Sequence, residues 1–147
     1  MKRTMEPMEL LTSSTPYSVY NFHLPQSLKK KAEQLCWEYN QLPPGQEDRR
    51  REILGKLFGT CDPKTFVMPG FRCDYGFNIH THGLAFINYN CVILDTSPVH
   101  IGANAFIAPA YVSAVSATPW MPNSGQRRLQ RQPPLPWRTT CGSVPML

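Results

Sequence analysis

The five cysteines (36, 61, 73, 91 and 141) are odd in number and include no C-x-x-C spacing, so neither a disulfide framework nor a zinc finger is indicated. No run approaches the ~20 apolar residues that span a bilayer. The basic start Met1-Lys2-Arg3 is interrupted by Glu6, Pro7 and Glu9 before a leader could form. These gaps predict a reduced, cytoplasmic protein without membrane association. Charge is also sparse, at 17% of 147 residues, and unevenly spread. Residues 111–147 contain no Asp, Glu or Lys, yet carry four Arg (Arg127, Arg128, Arg131, Arg138) and six of the 15 Pro. The other eleven basic residues are nearly matched by all ten acidic ones, so the net charge of +5 belongs mainly to the last quarter. A basic, Pro-rich chain suggests nucleic acid as a partner, but a nearly neutral body removes that argument for residues 1–110. With 41% apolar residues, the length suits one domain with one core.

What is present changes character along the chain. Residues 1–26 read as irregular. From Ser27 to Leu42, Leu28, Ala32, Leu35, Cys36, Tyr39 and Leu42 fall three and four apart, one stripe on a helix that Pro43-Pro44-Gly45 stops. A second helix is expected over 47–58, with Ile53, Leu54, Leu57 and Phe58 inward, Arg49-Arg50-Arg51 in water and Gly59 as its stop. The runs Lys29–Lys31 and Arg49–Arg51 read as solvated helix faces rather than phosphate sites, because Glu33, Glu38, Glu47, Asp48 and Glu52 balance them.

After Pro69 the period becomes six: Ile87, Ile93 and Val99 recur at that interval, as do Ile101 and Ile107. An aliphatic residue followed by small ones at this spacing predicts a parallel β-helix, each hexad giving one short strand with its aliphatic side chain in a narrow core. The next hexad would begin at Ser113, which is polar, so the repeat is expected to fail there.

Three strings carry a more specific message: Phe71-Arg72-Cys73-Asp74-Tyr75-Gly76-Phe77-Asn78-Ile79, then Phe86-Ile87-Asn88-Tyr89-Asn90-Cys91-Val92-Ile93-Leu94-Asp95, then Ile101-Gly102-Ala103-Asn104 with Ile107-Ala108-Pro109. Together they resemble the hexapeptide-repeat sugar O-acetyltransferases, in the maltose, galactoside and nodulation acetyltransferase group. The resemblance covers about residues 28–109. It implies a mainly β fold, an incomplete left-handed parallel β-helix over 61–112. Before it comes a helical segment over 27–60, and after it a disordered, basic, Pro-rich tail over 113–147. It also implies a homotrimer that moves acetyl from acetyl-CoA to a sugar acceptor, with no metal. A sugar hydroxyl is a poor nucleophile, so a neutral imidazole must take its proton as it attacks the thioester. By position the resemblance gives acceptor contacts to Asp74 and Asn88, with Asn90 and Asp95 in support. The alternative role for Asp74 and Asn88 is that of turn residues at β-helix corners. No Asp precedes Asp48, so the N-terminal acid with which some family members touch the acceptor has no counterpart.

The resemblance breaks after Pro109. None of His23, His80, His82 and His100 occupies the place of the family's catalytic base, and no cofactor-binding residue can be assigned. The genetic code offers a reason. Read one base early, Trp120-Met121-Pro122 gives Asp-Ala, and the three preceding junctions permit His, Pro or Ala, and Leu or Met. This fits the family's H-[PA]-[LM]-D-A segment. The same offset permits G-V-R-I over 110–113 and D-D-V-W-I-G-A-N-A over 139–147. Three family strings in one offset and in order imply that residues from about Ala110 onward are an out-of-frame reading, leaving an inactive chain whose last coils are uncapped at Ile101, Phe106 and Ile107. Two other readings stay open. One is a non-catalytic nucleic-acid-binding protein using the basic tail, with Trp120 and Trp137 as stacking surfaces. The other is a zinc site from His80 and His82 with Cys73 or Cys91.

Overall fold

The computed structural model describes residues 6–13 and 24–114. Three helices precede eight short strands: α1 (Pro7–Leu11), α2 (Gln26–Gln41), α3 (Glu47–Leu57), then β1 (Thr65–Val67), β2 (Arg72–Cys73), β3 (Ile79–Thr81), β4 (Ala85–Ile87), β5 (Val92–Leu94), β6 (Val99–Ile101), β7 (Ala105–Ile107) and β8 (Val112–Ala114). All strand pairs are parallel, and they form three sheets ordered β1-β4-β7, β2-β5-β8 and β3-β6. A chain that visits three sheets in rotation is a three-sided parallel coil, the architecture expected of the repeat.

The true period differs from six. Register partners lie twenty residues apart, as in Thr65, Ala85 and Ala105 or Arg72, Val92 and Val112. Two sides of each turn therefore carry an extra residue. One extra residue goes to a corner where Gly70, Asn90 and Ala110 take the left-handed conformation, at φ 88°, 58° and 55°. Gly70 is needed there twice over, since a Cβ on it would come within 2.1 Å of Asn90 Oδ1. The six-residue interval in Ile87, Ile93 and Val99 is real, but these residues occupy three different sides of the coil. All three point inward and are buried.

The helices close one end of the coil. Ala32, Cys36 and Tyr39 from α2 and Ile53, Leu54 and Leu57 from α3 join Phe58, Val67, Phe71 and Ile79 in one core. Leu42 ends α2 in extended conformation, as a residue before Pro43 must. Several sequence expectations need correction. Residues 1–26 are not all irregular: α1 buries Leu10 and Leu11, and Asn78 Nδ2 donates to Leu11 O at 2.7 Å. Five residues are too few to display a helical period. Arg50 is not in water; it is buried, for reasons given below. Phe58, in extended conformation, terminates α3. Gly59 serves close packing instead, because a Cβ on it would meet Phe77 O at 2.0 Å. The coil also continues past 112, since β8 pairs with β5 and sets Ser113 opposite Ile93. Backbone pairing tolerates a polar residue that the hexad pattern rejects. Ile101 is buried rather than poorly covered, whereas Phe106 is 68% exposed. The tail from residue 115 on lies outside the described residues.

Candidate functional site

The first corner of the coil after β2 holds Asp74, and the equivalent corner after β5 holds Asp95. Asp95 is fully buried. Its Oδ1 accepts from the amides of Asp74 at 3.1 Å and Tyr75 at 2.9 Å, and its carbonyl accepts from Asn78 Nδ2 at 3.0 Å. Burial pushes its carboxyl up to about 6, against the pull of the surrounding amides. This residue fixes the corner and thereby aims the backbone of Asp74. The Asp74 carboxylate is mostly covered and ion-paired at 2.6 Å to Lys29 of α2.

Beside this corner lies a cavity of about 290 Å³, lined by Lys29, Glu33, Cys36, Trp37, Arg72 and Cys73 among others. Lys29 thus links the cavity to Asp74. The sequence reading did not connect it with Asp74, because a lysine run balanced by nearby acids looks like any solvated helix face. Only the docking of α2 against β2 turns it toward the corner.

Asn88 and Asn90 belong to a different corner, the one after β4. Asn88 Oδ1 accepts from the Tyr89 amide at 2.9 Å, as a turn residue does. Asn90 takes the left-handed φ of 58° and gives its amide to Pro69 O at 3.2 Å. Within one chain, Asp74 with Asp95 and Asn88 with Asn90 therefore stand at two separate corners of the triangular section.

Three histidines form a ladder along β3 and β6. His80 and His100 are register partners, their rings stacked at 4.9 Å between centroids, and His82 stacks on His100 at 5.2 Å. His82 Nε2 and His100 Nδ1 share a hydrogen bond of 2.9 Å, and His80 Nδ1 lies 3.1 Å from Thr60 Oγ1. Burial and the two neighbouring imidazoles hold His80 below its ordinary value. The zinc reading does not assemble: the Cys73 thiol is 3.6 Å from that of Cys36, and the Cys91 thiol donates to Ala108 O at 3.2 Å. Among the described residues no group of three or more His, Cys, Asp or Glu could hold a metal ion. His23, Trp120, Trp137 and the tail arginines lie outside the described residues.

Residues 20–62 match the maltose acetyltransferase hexapeptide capping motif, the segment that forms α2 and α3. The chain is 37% identical over 92 residues to nodulation protein L of Rhizobium leguminosarum bv. viciae, covering 63% of this chain and 48% of that protein. A maltose O-acetyltransferase from Clostridium difficile superposes with a TM-score of 0.65 at 31% identity, over 74% of this chain and 57% of the other. A hexapeptide-repeat acetyltransferase from Vibrio cholerae, solved with acetyl coenzyme A, gives a TM-score of 0.61 at 29% identity over the same shares. The chain spans about half the length of the curated relatives it matches.

Proposed function

We propose that this chain, which carries the maltose acetyltransferase hexapeptide capping motif and is similar to maltose, galactoside and nodulation acetyltransferases, represents a hexapeptide-repeat sugar O-acetyltransferase whose coding frame breaks near codon 110. The observation that carries the family part is the joint presence of the capping helices and the parallel coil they close. Acetyl-CoA is the donor in this reading, supported by the neighbours solved with acetyl coenzyme A and coenzyme A. Asp74 and Asn88 are the acceptor-side polar groups. Because they stand at different corners, one acceptor touching both lies between two copies, which favours the homotrimer implied by the resemblance. The stripe of Phe66, Phe86 and Phe106, register partners across β1, β4 and β7, is exposed at Phe66 and Phe106 and half-buried at Phe86, an apolar surface suited to such contacts.

The columns of the coil support the frame break. Position 110 continues the left-handed column of Gly70 and Asn90, where Ala is strained. Position 113 continues the inward column of Cys73 and the buried Ile93, yet carries Ser. The alternative frame permits Gly at 110 and Ile at 113, the residue types that these two columns favour.

In this reading the neutral imidazole that takes the hydroxyl proton comes from the alternative frame, and His80, His82 and His100 are bound up with one another. The test is coenzyme A release from acetyl-CoA with maltose, glucose or a galactoside. The 147-residue chain stays at background, and insertion of one base near codon 110 restores turnover. Turnover by the unmodified chain, or an intact frame found in repeated independent sequencing of the gene, overturns the reading.

A further inference from the structure

The described residues bring two thiols together where the helical cap meets the coil. Cys36 of α2 and Cys73 of β2 approach to 3.6 Å between sulfurs although they are 37 residues apart in sequence. Neither is part of the acetyl-transfer reading. Both line the 290 Å³ cavity, Cys73 half-buried and Cys36 buried. The elements that carry them are held in place independently of the thiols. Tyr39 donates its hydroxyl to Val67 O, Asn40 Nδ2 donates to Phe71 O at 2.9 Å, and Asn40 Oδ1 accepts from the Gly70 amide at 2.8 Å. Lys29 and Arg72 place positive charge on the cavity wall, opposed by Glu33.

We propose that Cys36 and Cys73 form a redox-active dithiol that closes to a disulfide by exchange with a low-molecular-weight disulfide such as oxidised glutathione, stapling the helical cap to the coil. The Cys36 thiolate attacks one sulfur of glutathione disulfide, whose S–S bond breaks and releases one glutathione thiol. Cys73 then loses its proton to solvent and attacks the Cys36 sulfur, releasing the second glutathione. Two protein thiols are oxidised and one external disulfide is reduced to two thiols. Geometry favours the second step: the sulfurs must close from 3.6 Å to the ~2.05 Å of a disulfide, a displacement within reach of side-chain rotation. Chemistry favours Cys36 as the attacking group, since the hydrogen bond from the Cys73 thiol lowers it below its ordinary value while the same contact and burial raise Cys73. Cys61 is pushed up by burial and Cys91 is enclosed in the coil, so neither competes.

The experiment equilibrates the full chain over a series of reduced-to-oxidised glutathione ratios, quenches it in acid, alkylates the remaining thiols and maps the peptides by mass. The expected result is one cross-linked peptide pair joining Cys36 and Cys73, with Cys61 and Cys91 still alkylated. Cys73→Ser leaves a persistent glutathione adduct on Cys36, whereas Cys61→Ser and Cys91→Ser leave the cross-link unchanged. Repeating the exchange in urea scrambles the pairing, which separates a native preference from mere reactivity. The proposal is overturned if Cys36 and Cys73 stay alkylatable across the whole series up to oxidised glutathione alone, or if native pairing is as scrambled as in urea. None of these readouts depends on acetyl transfer.

Discussion

Asp95 shows how a single side chain organises a corner and ties stability to pH. Its carboxylate takes the amides of Asp74 and Tyr75, yet full burial raises the carboxyl from its ordinary 3.8 to about 6. The folded chain therefore binds this proton more tightly than the unfolded chain between about pH 4 and 6. The contribution from this group is fully present below pH 3.8 and is lost as pH rises through about 6, an effect on the order of 2–3 kcal/mol. Asp95→Asn keeps an oxygen acceptor for both amides and cannot ionise. Chemical denaturation at a series of pH values is expected to show a flatter stability profile between pH 4 and 6 for the variant than for the parent chain. An unchanged slope would mean that Asp95 does not titrate in this range.

At the scale of elements, the junction of α2 and α3 rests on Arg50. Its Nη2 donates to Leu42 O at 2.6 Å, occupying a carbonyl that the end of α2 leaves free, and its guanidinium lies 5.4 Å from the centroid of the Tyr39 ring. Tyr39 is buried, which raises its hydroxyl to about 12, so it remains a neutral donor to Val67 O. The arginine thus joins both helices while Tyr39 joins α2 to β1. Loss of a charge-assisted hydrogen bond and a cation–π contact predicts that Arg50→Ala destabilises the chain by about 2–3 kcal/mol. Arg49→Ala and Arg51→Ala, both exposed, are expected to cost much less; urea midpoints of the three variants check this. Equal effects at all three positions would show that the buried contact carries no special weight.

For the whole molecule, stacking is the source of stability, because one turn of a coil cannot cover its own apolar side. The last described turn is where the column rules fail, at Ala110 and Ser113. Correcting both should strengthen that turn without touching the rest. Ala110→Gly removes the left-handed strain and Ser113→Ile adds apolar burial over Ile93, together about 1–2 kcal/mol. A rise of several degrees in the melting temperature of the double variant is the expected outcome. No gain, or a loss, would show that residues 110–114 do not stack on the coil as β5 and β8 do here.

The sequence by itself determined the kind of element and its inward residues wherever a period ran long enough to be read. The stripe of α2, the inward residues of α3 and the aliphatic residues of the coil all follow from spacing, because burial repeats with backbone geometry. The motif strings singled out Asp74 and Asn88 as acceptor contacts, with a corner role as the alternative, and Asn90 and Asp95 as their support. Tertiary structure decided what depends on contacts between distant segments. The twenty-residue turn was hidden by a six-residue interval that crosses three sides. Arg50 is indistinguishable from Arg49 and Arg51 until α2 offers it a carbonyl and a ring. Lys29 reaches Asp74, and Cys36 reaches Cys73, only because α2 docks on β2. Periodicity reports which face of an element is buried; which two elements share that burial is fixed by packing, and packing leaves no local trace in the chain.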